Sequence, residues 1–577
     1  MESRPQIHRK FVIYSVLGIL ILATGLRFYN LGNRGIFDYD EAWYLLEAKS
    51  LHDALQFVWQ KATETNIDHQ SLKEYLRERG TVPITTFKPG HTFLTFLGML
   101  CFGVHDYAGF SVSAILGTLT VYLIYSLTKR LYGVKTGLLA ALILAISPFH
   151  IGYSRSGYAQ ANAIFFVALG LYLWYGQARD EKPFGLTRLF LSGCAIGYAF
   201  TCHFNLFIIP PLFLAYEAIH TICKRHDLFS SVAKRLGLFS LGMATPLLLF
   251  ELPARILRLI GRLPEGQQTY LEQSLYRMQP AGEVRISFSG APAFLEKLAM
   301  SDGFWIVIGL AVAILYMALR LKKLTVEDRL VLSLLLIPAL PWTTLSAGFP
   351  PFFRTFAVLC LSVSILAATG LMHIEEYIST NLTGLRRVAF PLVCLFTLAN
   401  GLFHVKDLLP AHSGYQQATD EWLDYIRQNG GRIAFLPGSV WPTWHFYLSA
   451  RYDDLPPEVR QFIQFYSDKK DAMPPQGDFD AFDFKRYYRG LNINQPQLMA
   501  YFDRIRDTYR PVVRVLNPVS DLPIAYSEVG GDRERRIRNK LSQMEPSKYI
   551  EIYDLRLKPG EYHSGISAAS QTDVRKP

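Results

Sequence analysis

Long apolar stretches recur through the first two thirds of this 577-residue chain, and half of all its residues are hydrophobic. An α-helix needs roughly 20 mostly apolar residues to cross a bilayer. We therefore predict a polytopic α-helical membrane protein with about 11 transmembrane helices. The predicted spans are 11–28, 107–128, 133–151, 158–176, 189–204, 205–220, 236–253, 303–319, 330–347, 352–372 and 388–405. The pair 189–204 and 205–220 could instead form one long bent element.

The basic residues between these stretches set the direction of the chain across the membrane. If the short apolar segment 91–104 lies along the interface, every Lys/Arg-rich loop falls on the cytoplasmic side with the basic N-terminus. The first loop, 29–106, then lies outside, where its segment 51–79 is expected to form short surface helices. The C-terminal domain is outside as well. We predict an inner or plasma membrane protein. The net charge of +11 comes with no nucleic-acid motif, so no nucleic-acid partner is expected.

The chain changes character after a membrane domain that we predict to cover 1–405. Residues 406–563 hold no stretch that could span a membrane, and 564–577 are expected to be a disordered tail. An amphipathic stretch at 418–427 and strand candidates at 432–436, 512–516 and 549–555 predict a soluble α/β or α+β domain. Its aromatic residues suit either binding of an acceptor glycan or simple packing.

Three carboxylates, Asp38, Asp40 and Glu41, follow the first apolar stretch. Their mutual repulsion makes them candidates for a raised pKa, a metal site or a general base. The alternative is a solvated acidic turn in which Asp40 is the N-cap of a helix that begins near Ala42. The tetrapeptide alone does not separate these interpretations.

The predicted topology brings several basic side chains to the same outer face. Lys88, Arg155, His203 and Arg354 would lie there, and such groups suit an anionic phosphate beside a nucleophile that must lose its proton. Lys88 and Arg354 could equally be long side chains that reach from apolar surface to the interface. His203 could be a hydrogen-bonded residue at a helix end.

The order of several short motifs resembles the C-type (GT-C) membrane glycosyltransferases, in the branch of the protein O-mannosyltransferases and lipid A aminoarabinose transferases. The resemblance runs in register over about 17–220 and more loosely to 372. The motifs are Asp40-Glu41-x-x-Tyr44, Lys88-Pro89, Phe102-Gly103, Lys129-Arg130-Leu131-Tyr132-Gly133, Ser147-Pro148 and Ser154-Arg155.

The resemblance implies an inverting transfer of a sugar from a polyprenyl-phosphate donor on the extracytoplasmic membrane face. Asp40 corresponds to the catalytic base of the family and Glu41 to its acidic partner. Lys88, His203 and Arg354 correspond to positions that face the donor phosphate. The acceptor could be a glycan, a lipid or a protein, and membrane lipid surrounds the site.

Two positions depart from the family pattern. His203 stands where Lys is common, and Gln160 stands where relatives often carry Asp. Asp38 is expected to supply the lost charge. No cofactor is certain, although Asp38 and Asp40 could hold a divalent cation such as Mg²⁺ or Mn²⁺. The competing hypotheses are a lipid or glycolipid transporter or flippase without transfer activity, and a non-enzymatic membrane scaffold.

Overall fold

The computed structural model describes most of the chain. Outside the described residues lie 1–8, 38, 62–68, 81–87, 180–184, 204–205, 207–208, 225–227, 261–267, 279–284, 287–289, 326–327, 335, 337–344, 347–356, 432–440, 458, 461–477, 484–495, 518–548 and 558–577.

Helices dominate the first two thirds of the described chain. They are α1 (Arg9–Phe28), α2 (Tyr39–Lys61), α3 (His69–Glu78), α4 (Pro89–Phe102), α5 (Asp106–Tyr132), α6 (Val134–Ile146), α7 (Pro148–Ser154), α8 (Gln160–Arg179), α9 (Gly185–Cys202), α10 (Ile209–Lys224), α11 (Leu228–Leu259), α12 (Tyr270–Met278), α13 (Gly290–Asp302), α14 (Phe304–Leu319), α15 (Leu359–Asn381) and α16 (Ala389–Val405). Two short strands, β1 (Arg285–Ile286) and β2 (Leu345–Ser346), pair antiparallel.

Four described helical segments are long and apolar enough to cross a membrane: Arg9–Asn33, Asp106–Tyr132, Ala233–Leu259 and Leu359–Asn381. Four shorter apolar helices accompany them, including α4 and α14. The central residues of the spans that we predicted from the sequence lie in helices wherever the structure describes them. Of the predicted span 330–347, residues 330–334 are described and helical, and most of the rest lies outside the described residues.

The predicted span 133–151 needs correction, whereas the two neighbouring spans 189–204 and 205–220 are confirmed as separate helices. The stretch 133–151 is not one straight helix, because α6 and α7 meet at an angle of 60°. Pro148 begins α7. Proline disfavours the helical conformation for the residue before it, and the backbone of Ser147 is extended. The stretches 189–204 and 205–220 are two separate helices rather than one bent element, since α9 ends at Cys202 and α10 begins at Ile209.

Glycines allow a close crossing of α9 and α11 in the membrane part. Gly193 and Gly197 of α9 face Gly242 and Met243 of α11 so closely that a Cβ on any of these glycines would meet the backbone of the opposite helix. Small residues at such crossings let backbones approach within a bilayer. The long helix α11 is thereby held against α9.

The first loop folds into helices, as predicted for 51–79. The 23-residue helix α2 is the longest helix of this loop among the described residues, and α3 follows it. Helix α4 packs against α2, α5 and α9. This arrangement joins the loop to the ends of the neighbouring membrane helices.

The C-terminal part is an α+β module. Helices α17 (Tyr415–Asn429), α18 (Trp441–Ser449) and α19 (Pro496–Thr508) accompany strands β3 (Phe479–Asp483), β4 (Pro511–Leu516) and β5 (Tyr549–Asp554). The sheet is antiparallel with the order β3-β5-β4. Two predicted strands are confirmed as β4 and β5, and the amphipathic stretch lies in α17. The strand candidate 432–436 and the tail 564–577 lie outside the described residues.

The C-terminal module shares a hydrophobic core with the first loop. Ile36, Leu45 and Leu46 belong to the same buried cluster as Trp444 and Tyr447. The aromatic side chains of Trp444 and Tyr447 are therefore packed in this core. Binding of an acceptor glycan by them stays a prediction.

Candidate active site

Asp40 lies in the first turn of α2, which begins at Tyr39. The helix starts earlier than the position near Ala42 that we expected, so Asp40 is inside the helix rather than at its N-cap. A carboxylate in the first turn is stabilised by the positive end of the helix dipole. Asp40 is half-buried and Glu41 is fully buried, since consecutive helical residues point in different directions.

Glu41 is the centre of a dense hydrogen-bond cluster. The guanidinium of Arg34 donates to its two carboxylate oxygens, over 2.8 and 3.3 Å. The backbone N–H groups of Phe37 and Gly157 donate to it over 2.7 and 3.2 Å. These contacts tie the start of α2 to the turn before α8 and give Glu41 a positioning role. Its catalytic role stays a prediction.

His91 links the same turn to α4, and sequence reasoning did not identify it as part of the site. Its Nε2 lies 2.8 Å from the carbonyl oxygen of Gly157, and Asn162 donates to its Nδ1 over 2.9 Å. An imidazole that donates at Nε2 and accepts at Nδ1 is neutral. His91 thus fixes the turn without adding charge to the site.

Lys88 directly precedes α4 and is 4% exposed. Its ammonium donates a hydrogen bond to the Tyr44 hydroxyl and lies 4.4 Å from the centre of that ring. Residues four apart lie on one face of a helix, so Tyr44 shares a face of α2 with Asp40. The structure thereby brings the predicted cation to the helix face that carries the predicted base.

Gln160 and His203 are in contact. The Nε2 atom of Gln160, at the start of α8, lies 3.2 Å from Nε2 of His203, which follows α9. Gly90 packs directly on Thr201 near the end of α9, and the Tyr198 hydroxyl donates to its carbonyl oxygen over 3.0 Å. The end of α9 and the start of α4 are therefore neighbours, and the two positions that depart from the family pattern form one pair.

Arg155 is fully buried and holds backbone segments together. Its guanidinium donates to the carbonyl oxygens of Leu26, Tyr29 and Leu409 over 3.0, 2.6 and 3.2 Å. These bonds join the end of α1 to the segment that leads into the C-terminal module. They support a structural role, and contact with a donor phosphate stays a prediction.

Two predicted site residues, Asp38 and Arg354, lie outside the described residues. Within the part of the chain that the structure describes, no group of three or more His, Cys, Asp or Glu side chains could hold a metal ion. Of the two residues that we predicted to hold a cation, Asp40 lies within the described residues and Asp38 does not.

The whole fold is similar to two solved membrane transferases. ArnT from Cupriavidus metallidurans bound to undecaprenyl phosphate aligns with a TM-score of 0.57, at 13% identity, over 88% of this chain and 97% of that one. The Archaeoglobus fulgidus oligosaccharyltransferase tethered with an acceptor peptide containing the NVT sequon aligns with a TM-score of 0.51, at 13% identity, over 87% and 72%. The chain is an integral membrane protein with the GT-C fold.

Part of the sequence also matches a family model and known proteins. Residues 83–250, the segment that contains Lys88, Gln160 and His203, match the family model of the dolichyl-phosphate-mannose-protein mannosyltransferases. An uncharacterized protein of Aquifex aeolicus (strain VF5) is 31% identical over 168 residues, 29% of this chain and 30% of that protein. YkcB of Bacillus subtilis (strain 168), provisionally named a mannosyltransferase, is 27% identical over 176 residues, 30% and 24% of the two chains. The matches thus span less than a third of these relatives.

Proposed function

We propose that this protein is an inverting glycosyltransferase that moves a sugar from a polyprenyl-phosphate donor to an acceptor hydroxyl on the extracytoplasmic membrane face. The observation that carries the proposal is the Lys88 ammonium, buried against Tyr44 on the helix face of Asp40. The match to the mannosyltransferase family model and the fold of ArnT support the reaction class.

In the proposed step, the acceptor oxygen attacks the anomeric carbon of the sugar as its proton passes to the Asp40 carboxylate. The bond from that carbon to the phosphate oxygen breaks, and polyprenyl phosphate leaves with the electron pair. Lys88 offsets the charge that develops on the phosphate, so a strong general acid is unnecessary. His203 and Arg354 are proposed to share that role.

The local structure supports Asp40 rather than Glu41 as the base. Glu41 is buried and accepts four hydrogen bonds, two from Arg34 and two from backbone N–H groups. A carboxylate that must accept a proton from a substrate needs access to it. Asp40 is half-buried, so it retains an approach from the outside.

The test is incubation of the purified protein with a panel of radiolabelled polyprenyl-phosphate sugars and a membrane extract as acceptor. Wild-type protein should transfer label, and Asp40→Asn should reduce transfer by at least a hundredfold while donor binding persists. Asp424→Asn, at an exposed position of α17, is the matched control. Full transfer by Asp40→Asn would exclude the assignment of the base.

The same assay addresses a metal ion. Asp38 and Asp40 together are proposed to hold Mg²⁺ or Mn²⁺, and a parallel reaction with a chelator would lose activity if such an ion is required. The alternative of a lipid transporter predicts no labelled product under any condition. The transferase names of the compared proteins do not favour that alternative.

A further inference from the structure

Among the described residues, the side chain of Gln160 carries a buried hydrogen-bond acceptor that has no partner. The side chain belongs to a residue that is 3% exposed, and its Oε1 atom has no hydrogen-bond partner within the described part of the chain. Its Nε2 atom is engaged with His203. Buried polar atoms are nearly always paired, so an unpaired amide oxygen requires an explanation.

The position of Gln160 supplies one. It begins α8 three residues after Gly157, whose backbone N–H contacts Glu41 and whose carbonyl oxygen contacts His91. Its partner His203 follows α9, whose end packs on the start of α4 beside Lys88. The elements that carry Gln160 and His203 therefore connect the turn that contacts Glu41, next to Asp40, with the start of α4, next to Lys88.

The chemistry of the free atom limits what it can bind. When Gln160 donates from Nε2 to an acceptor nitrogen of His203, its carbonyl oxygen is left to accept a hydrogen bond. A phosphate oxygen is itself an acceptor and cannot satisfy it, whereas a hydroxyl group can. In the proposed reaction two groups carry hydroxyls, namely the acceptor and the sugar ring of the donor. Gln160 is paired with His203, which is proposed to face the donor phosphate, so the sugar attached to that phosphate is the better match.

We infer that Gln160 is a specificity-determining residue whose Oε1 accepts a hydrogen bond from a hydroxyl of the donor sugar. The inference rests on the proposed function, because that function supplies the lipid-linked sugar. It favours a neutral sugar with a free hydroxyl at the contacted position. A carboxylate there, as in a uronic acid, would face the amide oxygen with a second acceptor.

The decisive measurement is binding rather than turnover. The affinity of purified protein for a polyprenyl-phosphate sugar is compared with its affinity for bare undecaprenyl phosphate. In Gln160→Met, which keeps the length of the side chain, the gain in affinity due to the sugar should fall about tenfold, while the affinity for the bare lipid stays unchanged. Tenfold corresponds to about 1.4 kcal/mol, the size of one net hydrogen bond.

A matched control is Gln417→Met, since Gln417 is exposed on α17 far along the chain from the site. If Gln160→Met weakens binding of the bare lipid and of the lipid-linked sugar equally, the contact is to phosphate and the inference is wrong. An unchanged gain from the sugar would contradict it as well.

A second measurement needs no variant. A series of donors that each lack one sugar hydroxyl should show about a tenfold loss of affinity for wild-type protein at one position of the ring. Equal binding of every deoxy donor would overturn the inference. Sugar-dependent binding without any transfer would instead contradict the proposed function and leave the Gln160 contact in place.

Discussion

Replacing Glu41 by Ala should destabilise the folded first loop strongly. Four donor hydrogens converge on this carboxylate, and both it and Arg34 are at most 1% exposed. Two other contacts of the Arg34 guanidinium do not involve Glu41. It donates to the carbonyl oxygen of Gly35 over 2.9 Å, and it lies 3.9 Å from the centre of the Phe37 ring. Neither contact neutralises its charge.

The magnitude follows from the cost of breaking a buried ion pair. Removing one partner leaves an uncompensated charge, at a cost of roughly 3–5 kcal/mol. Two backbone N–H groups also lose their acceptor, although water entering the cavity would compensate part of that loss. We therefore expect about 4 kcal/mol for Glu41→Ala. The isosteric Glu41→Gln should cost less, because its carbonyl oxygen still accepts two of the bonds.

The assay is the apparent Tm of the purified protein in detergent, together with the rate of limited proteolysis in the first loop. The control is Glu376→Ala, because the Glu376 side chain is 75% exposed. Arg34→Met combined with Glu41→Leu should recover part of the loss, since no buried charge is left without a partner. Wild-type stability in Glu41→Ala, combined with lost transfer, would refute this reasoning and make Glu41 part of the chemistry.

Three further predictions address other contacts. Lys88→Met should weaken binding of bare undecaprenyl phosphate at least tenfold, because a charge-assisted bond is lost; unchanged affinity would contradict a phosphate role. Tyr447→Phe should lower transfer and reduce stability by about 1–3 kcal/mol, because the Tyr447 hydroxyl accepts from the N–H of Ile36 over 3.0 Å and donates to Asp106 over 2.6 Å. Equal thermal inactivation of variant and wild type would argue against it. Burial lowers the pKa of His445 to about 4, so the unfolded chain takes up this proton first as the pH falls. The free energy of unfolding should therefore be about 2 kcal/mol lower at pH 5 than above about pH 6.5. The apparent Tm should follow this change, and His445→Gln should make it less dependent on pH.

The membrane part was predictable because its signal is local. A helix that crosses a bilayer must satisfy its own backbone and be apolar along its length, so each span is visible within about 20 residues. The break between α6 and α7 was missed within the predicted span 133–151, although Pro148 stands at the point where it occurs. Strands β4 and β5 were found for a similar reason, since alternating β-branched and aromatic residues fit a pleated surface.

Strand β3 was missed because its sequence, Phe-Asp-Ala-Phe-Asp, has no β-branched residue and two Asp residues. Pairing with β5 determines its conformation. Because β5 lies about 70 residues later in the chain, the sequence around β3 gives no sign of this pairing.

The candidate site was only partly predictable, for a related reason. The three neighbouring carboxylates could be seen, but their different environments could not. Gly157, which contacts Glu41 from 116 residues away, and Tyr44, which contacts Lys88 from 44 residues away, carry no local mark of these contacts. The pairing of Gln160 with His203 likewise exists only once α8 and α9 are side by side.

The shared core of the first loop and the C-terminal module has a consequence for how the protein is made. Ile36 binds Tyr447, which is 411 residues further along the chain. At a synthesis rate of about 5–20 residues per second, Tyr447 is made roughly 20–80 s after Ile36. During that interval the part of α2 that packs against α18 has no cover. The segment that carries Asp40 is therefore translated early, but it completes its packing only after the C-terminal module has been made.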